Sequence, residues 1–217
     1  MKEDERTKEI LRRLNKQYPN AEIALKYKNP WELLVAVILS AQCTDKKVNE
    51  VTARLFKKYK TLEDYVRAKP KEFEMDIRET GFFRAKTKSI LTTARLVKEK
   101  FGGKVPRTMD EILTLRGVAR KTANVVLGNA YGIIEGVAVD THVRRLSNRL
   151  GLSHHSDPVK IEEDLMRKLS RKEWFPITYR LIDHGRKICQ AKDPRCDLCP
   201  LASVCPAAFQ FPRFTRN

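Results

Sequence analysis

The run LRGVARKTANVVLGNA, Leu115 to Ala130, reads as a tight turn followed at once by a helix. Gly117 is the pivot, because it permits a backbone geometry that a Cβ resists. The N–H groups of its neighbours lie near a helix start, where they suit a phosphate oxygen. Arg116, Arg120 and Lys121 surround the pivot with positive charge. Glycine turns ahead of helices are common, so this stretch alone gives a turn-plus-helix element and a candidate phosphate contact.

Helical spacing continues on both sides of it. Val48, Val51, Leu55, Phe56 and Tyr59 recur at helical intervals, and Ile10, Leu11 and Leu14 form a stripe that stops at Pro19-Asn20. PWELLVAVILSAQ, Pro30 to Gln42, is apolar nearly all round, as a buried helix is. TLED (Thr61 to Asp64) and TMDE (Thr108 to Glu111) are capping-box starts. Ser156-Asp157-Pro158 sets a capping residue before a helix-initiating proline, and Ile161, Leu165 and Leu169 then share one face. Ile177, Leu181, Ile182 and Ile188 mark a last helix. Alternating strand patterns are nearly absent, so the expected fold class is all-α, with helices joined by short connections.

The 217 residues include 44 Lys and Arg against 27 Asp and Glu, a net charge of +17 that makes a polyanion the first partner to consider. A membrane surface is the rival, but no basic run abuts an amphipathic anchor. MKEDERTKEI is charged from its second residue and has no apolar signal core, and LLVAVIL, Leu33 to Leu39, is too short to span a bilayer. A cytoplasmic, nucleoid-associated location with reduced thiols is expected.

Four of the five cysteines, Cys189, Cys196, Cys199 and Cys205, are spaced C-x6-C-x2-C-x5-C. In a reducing compartment that density points to one metal centre. Tetrathiolate coordination suits Zn²⁺ or a [4Fe–4S] cluster, and the spacing does not choose. A loop with Pro194, Pro200 and few large apolar groups cannot build a core, so a metal would supply its folding energy. Lys192 and Arg195 would then be displayed toward phosphates. His184 reads as a structural histidine near a helix end. In VAVDTHVRR, Asp140 reads by itself as a helix N-cap.

ILSAQCTD (Ile38 to Asp45), LRGVARKTANVVL, VAVDTHVRRLSNR and the cysteine array follow in an order, and at separations, that resemble the endonuclease III family of helix-hairpin-helix DNA glycosylases. The likeness runs from the first helix to Cys205. It implies a six-helix domain near residues 23–134 and a cluster domain of 1–22 plus 135–217, with the active site in the cleft between them. It implies a [4Fe–4S] cluster on the four cysteines rather than zinc. Lys121 corresponds to the family's nucleophilic lysine, Asp140 to its catalytic aspartate, and Gln42 to the residue that enters the space left by an extruded nucleotide. Gly117 belongs to the DNA-contacting hairpin.

The implied activity is a base-excision glycosylase with an abasic-site lyase, acting as a monomer on double-stranded DNA that carries oxidised pyrimidines or abasic sites. In TGFFRAK, Phe82 or Phe83 is the candidate wedge, although both also suit a core. The chain departs from the usual L-P-G-V-G hairpin, with Arg116 for the proline and Ala119 for the second glycine. Asp193 stands where a basic residue is frequent. The alternatives are a monofunctional adenine or thymine-mismatch relative, which generally lacks the lysine, and a non-catalytic DNA-binding protein stapled by zinc.

Overall fold

The protein is described from a computed structural model, over residues 2–215. Its described residues form helices and no strands, and no helix among them is long and apolar enough to cross a membrane. The chain divides into two compact units, Ala24–Glu135 and Met1–Ile23 with Gly136–Asn217.

The first unit holds α2 (Pro30–Leu39), α3 (Asp45–Lys58), α4 (Leu62–Arg67), α5 (Pro70–Ile77), α6 (Phe83–Lys100), α7 (Met109–Leu113) and α8 (Arg120–Tyr131). Every residue of α2 from Glu32 to Leu39 is buried, which is why its sequence shows no polar face. It starts at Asn29, whose side chain accepts from the Glu32 N–H at 2.9 Å, with Pro30 supplying the fixed φ of the first turn. Helices α3, α6 and α8 pack around it. Thr61 and Asp64 make the reciprocal capping box of α4, and Thr108 caps α7. Trp31, Tyr59, Tyr65 and Phe73 close the other end of this core, with ring centroids 5.2 to 5.8 Å apart in edge-to-face and tilted contacts.

The second unit holds α1 (Glu3–Gln17), α9 (Thr141–Arg149), α10 (Pro158–Lys168), α11 (Arg171–Lys187) and the short α12 (Pro212–Thr215). Ile10 and Leu14 of α1 meet Val143, Leu146, Ile161, Leu165, Ile177 and Leu181 in one apolar cluster. Asp157 caps α10 by accepting from the N–H groups of Val159 and Lys160. Helix α11 begins at Arg171, earlier than its apolar pattern suggests, and carries Pro176 within it. At Gly185 of α11 the side chains of α9 come close: a Cβ there would stand 2.8 Å from both Arg145 Nη2 and His142 Nδ1.

Burial within α5 sorts its two large apolar side chains, since Phe73 is fully buried and Met75 is 63% exposed. Phe73→Ala is expected to cost about 3–5 kcal/mol in denaturant unfolding. Met75→Ala should stay within about 0.5 kcal/mol of the parent. Equal losses for the two would contradict this placement of the core.

Candidate active site and metal centre

The turn between α7 and α8 is built as its sequence suggests. Gly117 has φ +80°, and a Cβ there would meet Ser89 Cβ and Oγ at 2.9 Å, so both conformation and space demand glycine. The Thr93 hydroxyl donates to the Arg116 carbonyl at 3.0 Å and ties the turn to α6. Ala119, where the family's second glycine would stand, has φ −97° and ψ 170°. That is ordinary extended backbone, so the alanine costs the turn nothing. No side chain caps α8, which leaves the amides of its first turn to other partners. Arg120 and Lys121 open this helix, both half-buried, while Arg116 and Gly117 are exposed.

Gln42 lies on the turn that links α2 to α3. It is exposed at φ +52°, an uncommon conformation for a residue with a Cβ. Phe82, just before α6, has φ +47° and is 65% exposed, whereas Phe83 begins the helix and is half-buried. Of the two phenylalanines, Phe82 is the one presented to solvent.

Asp140 is the N-cap of α9, its Oδ1 accepting from the Val143 N–H at 2.8 Å. Among the described residues its other oxygen takes no hydrogen bond, so the carboxylate is held at one end and open at the other. In the same unit Arg144, Arg145, Asn148, His154 and His155 line an open depression at the α9 side chains.

The four cysteines line a single cavity, together with Leu146, Leu150, Ile188 and Phe211. Burial pushes the Cys199 thiol up to about 11 and raises that of Cys205. Sequence reasoning missed most of what surrounds them. Arg149 donates to Cys189 Sγ at 3.2 Å and to the carbonyls of Gln190 and Ala191 at 2.8 Å, and it stacks 4.5 Å over the Phe211 ring. Arg145, one turn earlier on α9, donates to the carbonyls of Gly185 and Cys189. The only signal was the i, i+4 arginine pair in RRLSNR, which also suits a solvated helix face.

His184 is buried, with Nδ1 3.0 Å from the Tyr18 hydroxyl and Nε2 3.4 Å from Cys199 Sγ. Burial lowers its pKa to about 4, which keeps the ring neutral. In the tautomer whose Nδ1 accepts from Tyr18, the Nε2–H faces the sulfur. Lys192 and Arg195 are exposed on the cysteine loop, but the Arg195 guanidinium also bonds the Lys187 carbonyl at the end of α11. Asp193 and Asp197 face Arg213 at 3.6 and 3.5 Å.

A glycine-pivoted hairpin feeding a lysine-bearing helix, in a helical chain with a four-thiol loop, defines a helix-hairpin-helix protein. Residues 35–171 match the family described as HhH-GPD superfamily base excision DNA repair protein. Endonuclease III of Synechocystis sp. is 50% identical over 204 residues, covering 94% of this chain and 93% of its own length. That of Bacillus subtilis is 47% identical over 196 residues, covering 90% and 89%. A solved structure of a trapped endonuclease III–DNA covalent intermediate, an estranged-adenine complex, superposes with a TM-score of 0.92 at 42% identity, over 97% of this chain and 99% of that one. The chain belongs to the endonuclease III family of the HhH-GPD superfamily.

Gly117→Ala should destabilise the protein by about 1–2 kcal/mol from the left-handed backbone alone, plus the contact with Ser89. Adding Ser89→Gly should recover the contact share but not the backbone share, giving a partial rescue in thermal melts. Full rescue would show that φ at Gly117 is not what requires glycine.

Proposed function

We propose that this protein excises oxidised pyrimidines from double-stranded DNA through a Schiff base on Lys121 and then nicks the strand. It is a base-excision DNA glycosylase with an associated abasic-site lyase activity. The observation that carries the assignment of the lysine is the hairpin. Gly117 turns the backbone so that α8 begins immediately after it, and Lys121 projects from the first turn of a helix whose start suits a phosphate.

Gly117 with the first amides of α8, and Arg116 and Arg120 beside them, would bind the backbone next to the lesion. Lys192 and the free edge of Arg195 would add phosphate contacts from the cysteine loop. A stacked base is out of reach of any amine, so the nucleotide must rotate out, at a cost of roughly a few kcal/mol. Gln42 would fill the vacated space and offer its amide to the orphaned partner. Phe82, the exposed phenylalanine, would wedge into the stack.

Breaking the glycosidic bond leaves positive charge on the sugar, which the open oxygen of Asp140 would stabilise. The Lys121 nitrogen donates its lone pair to C1′, and the bond from C1′ to the base breaks with the electron pair leaving on the base. That amine must be neutral, and with an ordinary lysine pKa of about 10.4 only roughly one in a thousand is, near pH 7. The C1′–O4′ bond then breaks, with the proton lost by the attacking amine delivered to O4′, and the opened sugar is an iminium that acidifies C2′. Removal of a C2′ proton then expels the 3′ phosphate by β-elimination.

The donor set of the loop fits a [4Fe–4S] cluster. A single zinc needs thiolates gathered at about 2.3 Å from one point. Among the described residues no three His, Cys, Asp or Glu side chains converge as such a ligand set. The four thiols instead surround a shared cavity, as the corners of a larger group require. When bound, the cluster would supply the positive charge that thiolates need in a buried site and would cross-link the loop. The excision steps require no electron transfer. The reading is completed by a cytoplasmic monomer acting on the nucleoid, a polyanion that suits the net charge of +17.

Lys121→Gln should abolish the borohydride-trapped adduct with lesion-bearing duplex and slow nicking by roughly three orders of magnitude or more, while leaving binding to an abasic analogue. Base release with no adduct in the parent protein would mean a monofunctional glycosylase instead. Asp140→Asn should slow excision about a hundredfold with little change in Tm, because asparagine caps a helix as well as aspartate. The purified protein should be brown, with about four iron and four sulfide per chain. A colourless protein containing zinc would overturn the cluster assignment.

A further inference from the structure

The mechanism leaves a buried lysine without a role. Lys86 is 5% exposed, and lysine is almost never buried unless paired. Among the described residues no carboxylate answers it. Its ammonium donates to two neutral acceptors, the carbonyls of Leu39 and Thr80, each at 2.8 Å. Burial lowers its pKa, the expected sign for an amine taken out of water without an anion. A methionine would occupy the same space without that desolvation, so packing does not account for the charge. What the ammonium adds is direction, since it binds two segments that lie far apart in sequence.

Those two segments are the turns that carry Gln42 and Phe82. Leu39 ends α2, and the turn through Ser40 to Cys43 follows, closed by the Cys43 N–H donating to the Ser40 carbonyl. Thr80 precedes Gly81 and Phe82, and its hydroxyl is fixed on the Ile77 carbonyl at 2.8 Å. The backbone N–H of Lys86 also donates to the Phe82 carbonyl at 3.1 Å, so this one residue holds the chain on both sides of Gly81. Gln42 and Phe82 are both exposed and both left-handed, conformations that relax unless their surroundings enforce them.

We propose that Lys86 is a positioning residue, whose ammonium clips the Gln42 turn to the Phe82 turn and sets the spacing at which the two side chains enter a duplex. This rests on the reading of Gln42 and Phe82 as the inserting residues. It adds that their separation is set by one side chain behind them.

The test uses the full, cluster-loaded chain and two duplexes, one undamaged and one carrying a tetrahydrofuran abasic analogue opposite 2-aminopurine. The parent should bind the lesion duplex more tightly and raise the 2-aminopurine fluorescence as the stack opens. Lys86→Met should lose about tenfold in affinity for the lesion duplex and most of the fluorescence rise, while its affinity for undamaged duplex changes less than about twofold. In a Gln42→Ala/Phe82→Ala background, Lys86→Met should have almost no further effect on lesion binding, because the residues it acts through are gone. Lys86→Gln, which keeps neutral donors, should fall between the parent and Lys86→Met; a Gln variant worse than the Met variant would overturn the clip. So would an equal loss on both duplexes, or the same loss with and without Gln42 and Phe82, since each describes general destabilisation. If the Gln42→Ala/Phe82→Ala protein itself kept full discrimination and fluorescence, the reading of the inserting residues would fail instead.

Discussion

An α-helix ends with carbonyls that no residue of its own can bond, and in this protein buried or half-buried cations satisfy them at the places that matter. Lys86 takes the carbonyl of Leu39 at the end of α2. Arg145 takes those of Gly185 and Cys189 at the end of α11, and Arg149 takes the next two along the loop. Arg13 reaches from α1 to the Pro200 carbonyl on the far side of the thiols. Each bond is charge-assisted, and each ties down a helix end or the loop that follows it. The excess of Lys and Arg therefore serves two purposes that composition cannot separate. One part faces outward toward a polyanion, and the other works inward as the framework of the loops.

That framework is what permits strain at the surface. Among the described residues Gln42, Phe82 and Phe209 are the non-glycine residues with positive φ, and two of them sit beside carbonyls gripped by Lys86. A left-handed residue with a Cβ costs of the order of 1–2 kcal/mol, which a flexible loop would avoid by relaxing. Held as they are, the side chains project into solvent without the rotational search that a free loop would need on binding. At Gly117 the same backbone region is reached without that cost, because glycine has no Cβ to resist it.

Local chemistry was legible in the sequence and distant chemistry was not. Thr61, Thr108 and Asp157 announce helix starts because their partners lie within three residues, and the structure has each of them capping. The buried character of α2 showed in its composition. Lys86 gave no such signal, since a lysine in RAKTK reads as one more exposed cation, and its acceptor Leu39 lies 47 positions away. Arg149 gave only the ambiguous signal of its i, i+4 partner Arg145, and Phe211 gave none, since its packing on Arg149 depends on a tail that returns to the cysteine loop. Nor could the pattern tell which of Phe82 and Phe83 is exposed. That choice follows from where α6 begins, which a positive φ at Phe82 determines and apolar spacing does not.

Asp140 shows why a residue proposed for chemistry can look ordinary. Capping α9 requires only a short side chain with an oxygen, a demand that serine, threonine, asparagine and aspartate all meet. Stabilising a cationic sugar requires a charge, and a charge fixed in advance costs no reorganisation when the bond breaks. The cap supplies that fixation: Oδ1 is committed to the Val143 N–H, and the second oxygen is oriented as a consequence. Glutamate would carry the charge but overreach the cap, and asparagine would keep the cap without the charge. Only aspartate satisfies both. The weaker requirement is the one visible in a single sequence, so the residue reads as a helix start until the motif around it is recognised.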